Sequence, residues 1–226
     1  SSVVAVTGLA GHAFGSWRSR ETHQMWLKDF LPQDIINIRI MTYGYDSRLA
    51  GQPTSSMKIC DYKSHFLQQL KNFRPNAEHR PIIFLGHSLG GILILQANPA
   101  TLPDTFSNRN PHHRSILDAT QGIFFFGTPH QGLRTEELET MVGSNTQAAN
   151  FLAQLKQGSD FLINQKEDLL HICKRFKRTI ISFHETVETS TVKRVNCECF
   201  APSRADYLLI LCSLNPGNSL EMVKRP

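Results

Sequence analysis

Ser88 is the residue best equipped for covalent chemistry in this chain, because residues 86–91 read GHSLGG and crowd glycine around it. A serine hydroxyl attacks only when one group takes its proton and others stabilise the charge that the attack creates. The spacing G-x-S-x-G serves the second need. In a sharp strand-to-helix turn the serine takes a strained backbone conformation, and the positions two residues away come too close to carry side chains. Gly86 and Gly90 meet that demand, with Gly91 directly behind. The same turn sets Ser88 at a helix start, where N–H groups and the helix dipole favour negative charge. The Leu89 N–H is therefore one candidate oxyanion donor. The other is expected in the loop after an early strand; residues 7–12, TGLAGH, hold that place, and the Leu9 N–H is the candidate. One such donor contributes about 2.7–4 kcal/mol in the transition state. The five-residue pattern also suits an ordinary glycine-rich turn, so the surrounding elements carry the weight.

Those elements alternate. Residues 3–6 read as a first strand, 37–43 (NIRIMTY) as a second, 81–85 as a buried third, 122–126 (GIFFF) as a fourth and 179–183 (TIISF) as a fifth. Helical patterns separate them: 20–30 ending at Pro32, 57–73, 92–97, and two or three helices within 135–175. The pattern of 57–73 is the clearest, with Ile59, Tyr62, Phe66, Leu70 and Phe73 on one stripe at three- and four-residue steps. The loop containing Gly44, Gly51 and Pro53 reads as too polar and broken to pack, and 99–111 as a surface loop or lid element. Strand-helix alternation predicts an α/β fold, a mostly parallel central sheet with helices on both faces.

A length of 226 residues suits a single domain over 1–226. Hydrophobic residues make up 40% and charged residues 19%, which excludes a disordered chain. No apolar run approaches the roughly 20 residues of a membrane span, and 207–212 is far too short. The opening SSVVAV has neither methionine nor a basic-then-apolar leader, so no signal peptide is expected, and these residues fit the trimmed start of a longer chain. The net charge is +5, much of it in Lys174, Arg175, Lys177 and Arg178. That cluster reads as a solvated helix end, with peripheral contact to a membrane surface as the alternative; no motif points to nucleic acid. Five scattered cysteines favour reduced thiols inside a cell, and the C-x-C of Cys197 and Cys199 lacks a second ligand pair for metal. No cofactor is expected.

Four segments sharpen the picture: GLAGHAFGSW, MTYGYDSRL, GHSLGG and GIFFFGTPHQG, in that order. Together they resemble the serine active site-containing protein family of α/β-hydrolases, from about residue 3 to 188, and most of all its fungal branch, whose hydrolase domains stand at the N-terminus of NLR-like receptors. The resemblance implies an esterase- or lipase-like serine hydrolase with Ser88 as nucleophile. It also implies links to lipid handling, mitochondria, the endoplasmic reticulum and membranes. Where the family often has histidine-glycine after the first strand, this chain has Thr7 and Gly8.

In that fold the acid follows a late strand and the histidine base comes last. Glu185, after TIISF, matches the family's strand-end glutamate; Glu188 and Asp160 are the alternatives. The base is the difficulty, since no histidine follows His184. Residues 219–225 read SLEMVKR and place Ser219 where the family has its histidine. Serine cannot take a proton at neutral pH as imidazole does. His130 is a candidate surrogate base or a structural residue of the pocket edge, and His12 a candidate at the entrance. His87 lies inside the elbow, and His184 points away from its neighbour Glu185. Residues from about 196 to 226 depart from the family and read as atypical or truncated. Three readings follow: a hydrolase of carboxylic or lipid acyl esters, a non-catalytic ligand-sensing or receptor module, and an altered C-terminus of a chain whose full form carries the histidine.

Overall fold

The computed structural model describes residues 1–49, 58–75, 77, 79–97, 111–176, 179–185, 207–212 and 222–223. Strand β1 (Ser2–Val6) leads through a 3-10 turn (Gly15–Trp17) into two short helices, α1 (Trp26–Asp29) and α2 (Leu31–Asp34), then β2 (Arg39–Tyr43). Helix α3 (Ile59–Asn72), β3 (Ile82–His87) and α4 (Leu89–Ala97) follow, then α5 (Pro111–Ala119) and β4 (Thr120–Phe126). Helices α6 (Glu136–Val142), α7 (Thr146–Leu155) and α8 (Asp160–Phe176) precede β5 (Thr179–Glu185), β6 (Tyr207–Cys212) and β7 (Met222–Val223).

All seven strands join one sheet in the order β2-β1-β3-β4-β5-β6-β7. The first five run parallel, so their carboxyl ends share one edge. The order steps outward in both directions from β1 and β3, the kind of topological switch at whose carboxyl edge α/β sheets open a crevice. β6 and β7 break the pattern by pairing antiparallel with their neighbours.

Period-two alternation splits the strands between two apolar layers. Val4, Val6, Phe84, Ile123, Phe125 and Ile180 join α3, α4, α7 and α8 in the larger core. Val3, Ala5 and Leu85 point the other way, onto Trp17, Met25 and Leu27. The expectation of helices on both faces holds, but unequally: among the described residues the second layer is covered chiefly by the 3-10 turn and two four-residue helices. Helix α4 is buried on nearly every side, which explains its apolar sequence, LGGILILQA. Asn145 caps α7 by accepting from the N–H groups of Gln147 and Ala148, both at 3.1 Å.

Four expectations are corrected. The helix expected over 20–30 shrinks to α1, because Arg18 and Met25 form an antiparallel bridge around a left-handed His23 (φ 58°). Pro32 does not stop a helix but opens α2, where a missing N–H costs nothing. Phe73 leaves the α3 stripe and is 57% exposed, since the helix ends one residue before it. The described part of the loop after β2, residues 44–49, does pack, with Ser47 and Leu49 buried, while Gly51 and Pro53 lie outside the described residues.

Candidate active site

β3 ends at His87, α4 begins at Leu89, and Ser88 alone makes the turn. Its φ of 51° is left-handed, a state that costs a residue with a Cβ of order 1–3 kcal/mol and persists only where the surroundings enforce it. Two backbone bonds do so here. The Ser88 N–H donates to the Phe126 carbonyl at 2.9 Å, and the Gly91 N–H donates to the Ser88 carbonyl at 3.0 Å. The glycine spacing has the expected steric basis. A Cβ on Gly86 would lie 2.5 Å from the Gly91 Cα, and one on Gly90 would strike the carbonyl oxygens of Val6 and Thr7. The half-buried Ser88 hydroxyl has no hydrogen-bond partner among the described residues.

The loop after β1 lies against this turn. A Cβ on Gly8 would come within 2.7 Å of the Ser88 Cβ, so only glycine lets the loop approach so closely. Buried Thr7 donates its N–H to Tyr43 at 3.2 Å and its hydroxyl to the Gly8 carbonyl at 3.2 Å. Its side chain thus braces the loop where the family often has histidine. Among the described residues, neither the Leu9 N–H nor the Leu89 N–H has an acceptor. The Leu89 side chain is buried in the larger core, and the Leu9 side chain packs against that core half-buried.

The histidines occupy different settings. The His87 ring packs edge-on against Trp17, at 6.4 Å between centroids, so it belongs to the wall of the second layer. Trp17 also meets Phe126, which stacks on Phe183 at 4.6 Å. His12 is exposed, and its Nδ1 accepts from the N–H groups of Phe14 (3.2 Å) and Gly15 (3.1 Å). With Nδ1 occupied, the neutral ring carries its proton on Nε2, where a base would need a lone pair. His130 stands edge-on to Phe125 at 4.7 Å. Burial, then the nearby His184, pushes its pKa down to about 4. An imidazole so shifted stays neutral at pH 7 but takes a proton from serine poorly. His184 is exposed on β5, its backbone paired with Leu208.

Glu185 ends β5 opposite Tyr207, at the sheet edge that Ser88 occupies. Its side chain, with Glu188 and Ser219, lies outside the described residues. Asp160 is exposed at the start of α8. Among the described residues no cluster of three or more His, Cys, Asp or Glu could hold a metal ion. The structure therefore brings together Ser88, Gly8 and the two segments bearing the donor candidates, and sets His12 in a cap and His130 against the Phe125 ring.

Two residues were not singled out from the sequence. Trp17 lies in GLAGHAFGSW and Ser47 in MTYGYDSRL, so both sit in stretches that carry the family resemblance. Buried Ser47 accepts the Ala10 N–H at 2.9 Å.

No family model matches the chain. Protein SERAC1 of Danio rerio is 28% identical over 210 residues, and that of Bos taurus 25% over 208 residues. Each match takes in 84% of this chain but only 31% of the relative, so the chain spans under a third of the curated relatives it matches. Among solved structures, phospholipase PlaB from Legionella pneumophila, in complex with thio-NAD, is similar with a TM-score of 0.60 at 15% identity, over 87% of this chain and 40% of that one. A second structure of that phospholipase has a TM-score of 0.53 at 15% identity, over 80% and 38%. The fold is that of an α/β-hydrolase.

Proposed function

We propose that this chain is a serine hydrolase module acting on carboxylic esters, lipid acyl esters foremost. The left-handed Ser88 between β3 and α4 is the observation that carries the reading. A protein keeps a strained serine at a sheet's carboxyl edge when the strain presents its oxygen. Ser88 Oγ attacks the acyl carbon, and the N–H groups of Leu9 and Leu89 hold the resulting oxyanion. The tetrahedral intermediate collapses to an acyl-enzyme as the alcohol leaves with a proton, and water then releases the acid. Glu185 orients the base when one is present. The resemblance to lipid-handling hydrolases supports the substrate class, a place at mitochondrial or endoplasmic reticulum membranes, and membership of a longer chain.

The second reading, a hydrolase-like module that binds without turnover, is favoured by the settings of His130 and His12. Neither offers a standard base. Losing the histidine lowers kcat about 10⁶-fold in a well-studied serine hydrolase, while the oxyanion hole and binding retain roughly 10³–10⁴ over water. A fluorophosphonate probe separates the two readings. Labelling of the wild type that disappears in Ser88→Ala supports the hydrolase. A folded wild type that remains unlabelled removes it and leaves the binding module.

A further inference from the structure

We propose that Ser47 is a positioning residue for the oxyanion hole: its hydroxyl holds the turn that carries the Leu9 N–H. This rests on the hydrolase reading above. Ala10, next to Leu9, sits at φ 51°, a left-handed state that a residue with a Cβ keeps only under external constraint. The constraint is visible. The Ala10 N–H donates to Ser47 Oγ at 2.9 Å, and Ser47 is only 2% exposed. The Gly11 N–H closes the same turn onto the Gly8 carbonyl at 3.1 Å.

Ser47 can serve as an anchor because its own loop is tied down on both sides. The Asp46 carbonyl accepts the Tyr62 hydroxyl at 2.6 Å, which fastens the loop to α3. The Asp46 carboxylate takes a two-pronged grip from Arg48, at 2.8 and 2.9 Å, and Leu49 is buried in the larger core. A second direct link joins the two chain segments: the Thr7 N–H donates to the Tyr43 carbonyl at the end of β2. A path of bonds therefore runs from α3 through residues 46–47 to Ala10, one residue from the donor. A donor displaced by about 1 Å can cost roughly 10²-fold in rate, so a hydroxyl that fixes its turn governs catalysis without touching substrate.

The test compares Ser47→Ala, Ser47→Thr and Ser47→Cys with wild type, each checked for folding by circular dichroism. Two measurements are made on each: hydrogen exchange of amides 8–11, and the second-order rate of Ser88 labelling by a fluorophosphonate. For Ser47→Ala the expected result is at least about tenfold faster exchange confined to that turn, with labelling slowed about 10- to 100-fold. Ser47→Thr keeps the hydroxyl and should retain both wild-type values. Ser47→Cys keeps the volume but accepts weakly, so it should follow alanine, and it serves if alanine fails to fold. Wild-type exchange in folded Ser47→Ala or Ser47→Cys overturns the hold on the turn. Faster exchange with unchanged labelling overturns its role in the oxyanion hole. A wild type that never labels instead overturns the hydrolase reading, on which that role depends, while the exchange result still decides whether Ser47 holds the turn.

Discussion

Strain at Ser88 and burial at His130 both make quantitative demands on single side chains. The left-handed φ of 51° at Ser88 opposes its Cβ, so Ser88→Gly should raise stability by about 1 kcal/mol and abolish probe labelling, whereas Ser88→Ala abolishes labelling without that gain. Urea denaturation of the three proteins checks this. His130 titrates at about 4 in the folded chain because burial, then His184, disfavours its cation, against an ordinary value near 6.5. Between those values the unfolded chain binds the proton and the folded chain does not. The stabilising effect is therefore fully present above about pH 6.5, is lost as pH falls toward 4, and changes no further below. For a half-buried ring the loss is about 2–3 kcal/mol. Denaturation midpoints at pH 7 and pH 4.5 should show a smaller drop in His130→Gln than in wild type, and equal drops would show that His130 is solvated.

At the scale of elements, α4 has to stay fixed if the turn before it is to hold its shape, and α8 helps to fix it. The Gln165 side chain, 2% exposed, donates to the Ile92 carbonyl at 2.9 Å. Removing it takes away a buried hydrogen bond and leaves a cavity. Gln165→Ala is expected to cost about 2–3 kcal/mol, measured by thermal or urea unfolding, while labelling per folded molecule stays near wild type. The parallel strands were legible in the sequence because central strands buried on both faces read as continuous apolar runs, as in GIFFF. The elbow was legible because Gly86 and Gly90 are demanded by backbone contacts, and their spacing about Ser88 reports it; Gly91 is demanded by the side chains of Thr128 and Phe125, which spacing does not report. Helix α5 was not, since PHHRSILDA has only three apolar residues and opens on proline and two histidines. Ser47 was not legible either. It lies in a polar loop, and what it meets is Ala10 in the loop after β1, while Tyr62 on α3 bonds its neighbour Asp46, contacts that no local pattern encodes. Residues 207–212 read only as a stretch too short to span a membrane, although YLLILC has the apolar character of the strand it forms, with Tyr207 and Ile210 favouring it.

The molecule as a whole determines where a base could come from. Had β6 run parallel to β5, the chain would leave it at the carboxyl edge, beside Ser88. Instead Tyr207 pairs with Glu185 and Leu211 with Ile181, so β6 starts at that edge and descends. β7 then begins with Met222 opposite Cys212, at the level of Ile180 and hence of Ile123 and Phe84. Phe84 is four residues below Ser88, about 13 Å along the strand, and β7 stands four strand spacings from β3, about 19 Å across. Met222 is thus roughly 23 Å from the nucleophile. A residue three positions away in the chain reaches at most about 10 Å from Met222, and an imidazole side chain adds only about 6 Å. Ser219→His should therefore leave fluorophosphonate labelling at its wild-type rate, even though the family pattern places histidine at that position. A large gain in Ser88-dependent labelling would show that the last strands run otherwise in solution and that one substitution removed the base.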